Sequence, residues 1–410
     1  MQTSSKADDI TIAEAGAPPV QGDEAELARM GYKQELKRDL SLMQNFGVSF
    51  SIISVITGIP SLFAYGLMTG GPSVMVWGWV VVSFFTMLVG LAMAEVCSAH
   101  PTSGGPYFWA AMLSRPQNAA FASWVTGWFN LLGQVAVTTG ISFACANFIS
   151  TACTLGTDFV PTAGKTIGIY AAVLSAQGAI NTFGVRILKY LNNISVWWHA
   201  IGTVSVVIAI LAAAPKHQSA KVVFASFVDG TGVDGVGWSQ RASPAYVVVI
   251  GILMAQYTLT GFDATATSIA TIGLYISYGE DYSFHTYYTM SSPQCPAIPI
   301  ALRVIYADKF VRGPFHLGIF SFPVAIAAVT WIAFISIVFV LPELNPVNSQ
   351  TLNYAIVAVG IVLTYSMGFW LLSARKWFTG PIKQIAAEEQ GINITDPAAM
   401  AEKEDLEKMF

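Results

Sequence analysis

Apolar runs of about membrane length recur along this chain, and they fix its solvent before any other feature is read. A helix of about 20 residues crosses the hydrocarbon core of a bilayer, and a lipid-exposed backbone satisfies itself only as a helix or a closed barrel. Such runs lie at Phe46–Met68, Val74–Val96, Ala119–Ile149, Ile167–Phe183 and Ile194–Ala214, then from about Ala245, and again at Phe320–Leu341 and Leu352–Ser373. Composition agrees: 54% of residues are hydrophobic and 11% charged, where soluble domains carry about 25% charge. The chain therefore reads as an all-α polytopic membrane protein rather than a soluble enzyme with buried helices. The net charge of −4 says little about partners, because the acids crowd the two ends.

Basic residues in the loops set the expected orientation. Lys33, Lys37 and Arg38 precede the first span, and the turn Thr69–Ser73 has no basic residue. The loop between spans 2 and 3 carries His100 and Arg115, and that between spans 4 and 5 carries Arg186 and Lys189. Arg303, Lys309 and Arg312 precede the penultimate span, Pro342–Thr351 has none, and the tail opens with Arg375, Lys376 and Lys383. The alternation places both termini in the cytoplasm. The loop Pro215–Pro244, with Lys216, Lys221 and Arg241, is the exception and is assigned outside. Both ends inside require an even number of crossings. Seven other spans are clear, so residues 245–312 supply one more and the total is eight.

The sixth apolar run is anomalous. Tyr246–Gly279 spans 34 residues, longer than one crossing needs, and carries Asp263 inside it. A carboxylate within a hydrophobic run is a site hypothesis by default; capping a free helix start is the alternative use. Thr260-Gly261-Phe262-Asp263 sits about half a membrane into this run. Thr57-Gly58-Ile59-Pro60 sits at the same depth in span 1, which enters from the opposite side. Proline removes a donor and glycine loosens the turn, so both spans read as discontinuous helices. Paired broken helices of opposite direction are the pattern of an inverted-repeat transporter, with the substrate between the breaks. Thr57, Gly58, Ile59, Tyr257, Thr260, Gly261, Phe262 and Asp263 are the expected substrate-binding residues. Tyr257 and Phe262 either offer a ring face to an ammonium group or pack against a neighbouring span.

A second group lies on the expected inner side. Pro101–Pro106, followed by Tyr107, Phe108 and Trp109, reads either as a re-entrant element at an inner gate or as an ordinary turn with interfacial aromatics. Gly104, Gly105, Tyr107 and Glu95 are the residues expected there in gating or structural roles. Glu95 is expected at headgroup level or paired with a basic loop. Gln134, Asn147, Asn181 and Asn193 read as polar glue between helices. The chain carries no Walker loop, dinucleotide fingerprint, histidine metal motif or nucleophile elbow. Cys97, Cys145 and Cys153 read as small hydrophobes, and the four cysteines show no metal spacing. No enzyme activity, cofactor or metal is expected; a channel is the second alternative on physics alone, although no filter-like ring of carbonyls or charges is readable.

Several segments together resemble the fungal amino acid/choline permeases, GABA- or choline-permease-like, of the amino acid–polyamine–organocation superfamily. They are QNFGVSFSIISVITGIPSLFAYGL (Gln44–Leu67), AMAEVCSAHPTSGGPYFWAAML (Ala92–Leu113), WVTGWFNLLGQVA (Trp124–Ala136), QYTLTGFDA (Gln256–Ala264) and RGPFHLGIFSFPV (Arg312–Val324). The resemblance implies a secondary transporter of small amines or amino acids, driven by protons, in the plasma membrane or an organelle membrane. It implies a fold of twelve spans whose first ten form two inverted five-helix repeats, with substrate at the breaks in spans 1 and 6. The partners it implies are the lipid bilayer, the substrate and protons.

The second repeat departs from that pattern. Thr265-Ala266-Thr267 runs straight into Ser268–Gly279, which resembles the first half of span 10, and spans 7–9 are missing. Residues 280–297, polar and aromatic, separate that half from its expected continuation Ile298–Phe310. Either an exon is missing and an intron retained, or the chain is a truncated paralogue. The expected organisation is a disordered tail 1–40, a first five-span repeat 41–214, an extracytoplasmic loop 215–244, a truncated second repeat 245–312, two last spans 313–373 and a cytoplasmic tail 374–410. A rocking carrier needs both repeats, so an intact carrier is one expectation and a non-transporting scaffold or regulator the other.

Overall fold

A computed structural model describes residues 50, 53, 55–102, 104–259, 296–307 and 310–381. Within them the apolar runs are helices, and the polar stretches are turns and short elements. Span 1 is α1 (Val55–Ser61) followed by α2 (Phe63–Met68). Two residues of strand, β1 (Thr69–Gly70), lead to α3 (Gly71–Ala99). Gly70 and Gly71 take φ of 104° and 73° to make this reversal, a backbone region open to glycine at little cost. Pro72 then sits in the first turn of α3, where its missing N–H has no partner to lose.

Next come α4 (Gly105–Leu113), α5 (Pro116–Gly156), α6 (Ala163–Phe183) and α7 (Val185–Ala213). The Thr162 hydroxyl caps α6 by accepting from the Lys165 N–H. The expected loop between spans 4 and 5 shrinks to Gly184, whose N–H returns to the Ile180 carbonyl at 2.8 Å. Arg186 and Lys189 are thus in the first turns of α7, not in a loop. A basic residue marks a membrane boundary, but it does not break a helix, and VRILKYL has no breaker in it. The segment 215–244 is likewise not bare loop: it holds α8 (Ala220–Ala225), β2 (Val228–Asp229) and α9 (Trp238–Arg241).

The sixth span enters as α10 (Pro244–Gly251), capped by the Ser243 hydroxyl, and continues as α11 (Leu253–Thr258). Beyond residues 260–295, which lie outside the described residues, α12 (Ala297–Ile305), α13 (Ser321–Val338) and α14 (Ala355–Leu372) complete the order. Among the described residues five helices are long and apolar enough to cross a membrane, α3, α5 and α14 being three of them. At about 1.5 Å per residue, the 29 residues of α3 reach roughly 43 Å, more than the hydrocarbon thickness.

The packed core surrounds α3. Val82, Ala92 and Val96 on α3, Val247 and Ile250 on α10, and Ala325 and Ala328 on α13 are each fully buried. Phe85 stacks on Trp331 with centroids 4.5 Å apart, and the Trp331 indole N–H donates to the Gln256 side chain at 3.3 Å. In contrast, α6 buries no residue and α14 only Ser366. Trp197, Trp198, Ile201, Ile208 and Leu211 of α7 stand open. So large an apolar surface is untenable in water; in a bilayer it is the face that meets the acyl chains.

The connecting segments gather at two ends. At the Gly71 end of α3, β1 pairs antiparallel with β2, Thr69 opposite Asp229, and Asn345 bridges to the 231–236 turn. Asp229 is the hub of this end. Its two carboxylate oxygens accept from the N–H and hydroxyl of both Thr231 and Ser239. At the Ala99 end, the Phe315 N–H donates to Ser98 Oγ at 2.8 Å, the Arg115 guanidinium lies over Tyr306, and Phe378 meets Tyr107.

Candidate functional site

Proline at position 60 predicts a break within Thr57–Pro60, but α1 runs through all four residues. The interruption comes one turn later at Leu62, where φ is −115° and ψ 13°. The displacement has a local cause. Proline blocks the turn behind it, and the Gly58 carbonyl is instead taken by the Ser61 hydroxyl at 2.8 Å. The chain tightens to a three-residue step, Leu62 N–H to Ile59 O at 3.3 Å, before α2 restarts.

The sixth span comes up beside it. Ile252 separates α10 from α11 with nearly helical dihedrals of −66° and −16°. Gly251 lies so tightly on the Thr69 carbonyl that a Cβ would collide with it. The Tyr65 hydroxyl of α2 donates to the Ile250 carbonyl at 2.8 Å, tying the two interrupted spans together. Six residues on, α1 and α11 meet side by side: a Cβ built on Gly58 would stand 2.7 Å from the Thr258 methyl carbon. Thr258 holds its own hydroxyl on the Met254 carbonyl at 2.9 Å, so its methyl is the part turned to α1. Thr57 is exposed and Ile59 half-buried beside this contact. The Tyr257 hydroxyl reaches α5 opposite Gly140, 3.5 Å from a Cβ built there. The Tyr257 side chain thus extends toward α5. Thr260, Gly261, Phe262 and Asp263 follow Leu259 directly but lie outside the described residues, as do residues 280–295 of the insertion.

The second expected group does not join the first. Glu95, near the Ala99 end of α3, is fully buried. Its carboxylate pairs with Arg303 of α12, Nη2 to Oε2 at 3.0 Å. Ser321 completes the cluster: its hydroxyl accepts from Arg303 Nη2 and lies 2.6 Å from each Glu95 oxygen. Glu95 thus has a basic partner, as expected, but one on a helix inside the protein. Burial without that partner would be prohibitive. Gly104 caps α4, Gly105 begins it with φ of 52°, and the Tyr107 ring lies against Gly127 of α5. The Tyr107 carbonyl accepts from Ser123 at 3.1 Å. Tyr107 thus fastens α4 to α5, and the Pro101–Pro106 segment leads into a short packed helix.

Sequence reading missed three features. Arg303 was counted as a loop charge, because nothing local marks it as the partner of Glu95. The link between α5 and α6 is Ser142 Oγ to Gln177 Oε1 at 2.9 Å, whereas the Asn181 amide bonds only within its own helix and Asn147 and Asn193 are exposed. His199 of α7 is buried with its ring edge-to-face against Phe50, and its one sequence signal is the Ser195, His199, Gly202 spacing that puts all three on one helix face.

Relatives place this geometry. Residues 43–272 match the family model described as amino acid permease. The chain is 32% identical to the amino-acid permease BAT1 of Arabidopsis thaliana over 515 aligned positions, covering 90% of this chain and 98% of the relative. It is 34% identical to the BAT1 homolog of Oryza sativa subsp. japonica, covering 91% and 98%. It is 33% identical to the GABA-specific permease of Saccharomyces cerevisiae over 240 positions, covering 58% and 41%. No solved structure matches. Ninety per cent of 410 residues is about 369, so about 146 of the 515 positions aligned with the Arabidopsis relative have no counterpart here. With its membrane-length helices and interrupted first span, the chain belongs to the amino acid permease family and is a shortened, all-α, polytopic transporter of that family.

Proposed function

We propose that this permease carries a small amino acid or amine of the GABA or choline class, driven by the proton gradient, and seats it where α1 meets α11. The observation that carries this reading is the direct apposition of Gly58 and Thr258. At that contact two interrupted spans lie together inside the membrane-length frame. Interruptions leave backbone N–H and C=O groups unspent by their helices, and such groups in a protein-lined cavity recognise charged substrate ends. Thr57, Gly58 and Ile59 line the α1 side, Tyr257 the α11 side, and Thr260-Gly261-Phe262-Asp263 continue from it. An Asp263 carboxylate suits the ammonium end of a substrate, while free N–H groups suit a carboxylate. GABA has both ends, and one relative is named for it. Arg115, Arg303, Arg312, Arg375 and Lys376 lie in segments of the Ala99 end, which supports a cytoplasmic assignment of that end and a plasma-membrane carrier with both termini inside.

A second reading is that the chain binds substrate without cycling it, a membrane scaffold or regulator. The positions without a counterpart in this chain favour it, since a rocking carrier needs walls on both sides of its site. Uptake of radiolabelled GABA, choline and a panel of amino acids in a transport-deficient fungal host separates the two. Saturable uptake above empty vector, abolished by a protonophore, supports the carrier. Saturable binding to isolated membranes with uptake no greater than vector supports the second. Neither binding nor uptake for any of these compounds defeats both.

A further inference from the structure

Helix α14 is followed at once by a single 3-10 turn, Ala374–Lys376, and this turn is fixed from both sides. Ala374 is fully buried, and its carbonyl accepts from the N–H groups of Trp377 at 3.1 Å and Phe378 at 2.8 Å. The Lys376 N–H donates to the Ser373 carbonyl at 3.0 Å, and the Trp377 indole N–H to the Ser373 hydroxyl at 3.2 Å. Behind the turn lies a cluster of rings, with Trp124 and Phe378 5.1 Å apart, Trp124 and Trp370 5.8 Å, and Trp377 and Phe378 6.0 Å. Gly380, at φ of 87°, then brings the chain back onto α5, where a Cβ on it would stand 3.5 Å from Ala120 Cα.

Arg375 and Lys376 are consecutive on this turn, and both are exposed. Arg115, at the start of α5, is instead turned to the Tyr306 ring. Beside the two cations the surface changes to apolar. Ile361, Tyr365 and Leu372 of α14 are exposed, and their spacing of four and seven residues puts them on one helix face. From Ile361 to Leu372 that stripe runs roughly 16 Å, about one leaflet of a ~30 Å hydrocarbon core.

We propose that this turn and this stripe form a docking site for one anionic phospholipid, its phosphate on Arg375 and Lys376 and an acyl chain along Ile361, Tyr365 and Leu372. Tryptophan rings gather at the headgroup level of a bilayer, and the ring cluster puts the turn there. Only a lipid supplies an anion and a leaflet-long apolar chain in one molecule. A soluble anion meets the cations alone, and a zwitterionic lipid brings its own ammonium against them. The turn belongs to the Ala99 end, the end assigned above to the cytoplasm, and anionic lipids populate the cytoplasmic leaflet. A turn already held by its backbone loses little freedom when the headgroup binds. The site is independent of the substrate seat.

The test uses the purified full chain in neutral detergent micelles, titrated with phosphatidylserine brominated in its acyl chains, which quenches nearby tryptophan fluorescence. Each basic side chain near a membrane surface contributes roughly fivefold in affinity. Arg375→Gln/Lys376→Gln therefore weakens phosphatidylserine binding about 30-fold, toward the level of brominated phosphatidylcholine. The equal charge loss Lys216→Gln/Lys221→Gln, at exposed positions of the 215–244 segment, leaves it unchanged, as does Arg375→Lys/Lys376→Arg, which keeps both charges. On the unaltered chain, raising salt to about 1 M weakens phosphatidylserine binding and spares phosphatidylcholine, a result that stands even where the glutamine pair fails to fold. An unaltered chain that does not distinguish the two lipids overturns the proposal. So does phosphatidylserine binding that ignores the loss of Arg375 and Lys376, or that ignores salt, or that weakens equally with both glutamine pairs. Glycerophosphoserine, the headgroup without acyl chains, competing at the same concentration as the whole lipid also overturns it, since the turn is then a simple anion site.

Discussion

Replacing Arg303 by methionine leaves the Glu95 carboxylate fully buried with no counter-charge. Breaking a buried pair by removing one partner costs about 3–5 kcal/mol, whereas replacing both with apolar groups of similar volume is often neutral or stabilising. Here Glu95 keeps the Ser321 hydroxyl at 2.6 Å and a long contact from the Leu317 N–H at 3.5 Å, so Arg303→Met falls toward the lower end. Glu95→Leu strands the guanidinium, whose Nε already has no partner, and falls toward the upper end. With an unfolding entropy of about 2 cal/mol/K per residue, a loss of ~4 kcal/mol lowers the melting temperature of a chain this size by about 5 °C. Glu95→Leu/Arg303→Met together melt within about 1–2 °C of the unaltered protein, because the cost lies in the uncompensated charge and not in the volume. Thermal unfolding of the four proteins in one detergent closes the cycle. Single variants that melt like the unaltered chain, or a double variant whose loss is the sum of the two, refute the argument.

Other outcomes follow from the same contacts. Gly58→Ala drives its methyl into Thr258 and lowers GABA binding, at an overpacking cost of about 1–3 kcal/mol; Thr258→Ser removes the offending methyl and restores binding. Burial works to raise the Asp229 carboxyl, but hydrogen bonds from Ser239 and Thr231 outweigh it and hold the group below the ordinary range. Its stabilisation is thus present above the ordinary carboxylate pKa and lost as pH falls through the lowered one. Asp229→Asn melts lower than the unaltered chain at neutral pH, and the gap closes in acid. Burial raises the Glu343 carboxyl, so ionisation there is disfavoured by the fold, and Glu343→Gln melts higher at neutral pH with no difference in acid. Trp124 lies among Phe369, Trp370, Trp377 and Phe378 and donates to the Ser366 carbonyl at 3.2 Å; Trp124→Ala costs about 3–5 kcal/mol, read as a lower melting temperature.

The spans were legible because burial in lipid demands uninterrupted apolar length, and α3, α13 and α14 lie inside the runs that predicted them or within a few residues of their ends. Local punctuation was less reliable. Pro60 signalled a broken helix correctly but its position by one turn wrongly, since a proline disturbs the turn behind it while Ser61 repairs the Gly58 carbonyl. The run VRILKYL reads as a loop on the strength of two basic residues, which a helix accommodates. Tertiary pairing was not legible at all: Glu95 and Arg303 are joined by the folding of α3 against α12 and α13, and no spacing rule connects positions so far apart. His199 passed unnoticed for a related reason. A single histidine in an apolar run has no partner pattern, and its contact with Phe50 comes only with the fold.

Substrate protection at Thr57 tests the seat most directly. In a chain freed of its four cysteines, Thr57→Cys on exposed α1 and Trp197→Cys on the outward face of α7 are each labelled with a maleimide, with and without saturating GABA. The account predicts that GABA slows labelling at position 57, saturably and with the affinity measured for binding, and leaves position 197 unchanged. Equal labelling rates at position 57 with and without GABA, under conditions where GABA is bound, would contradict it.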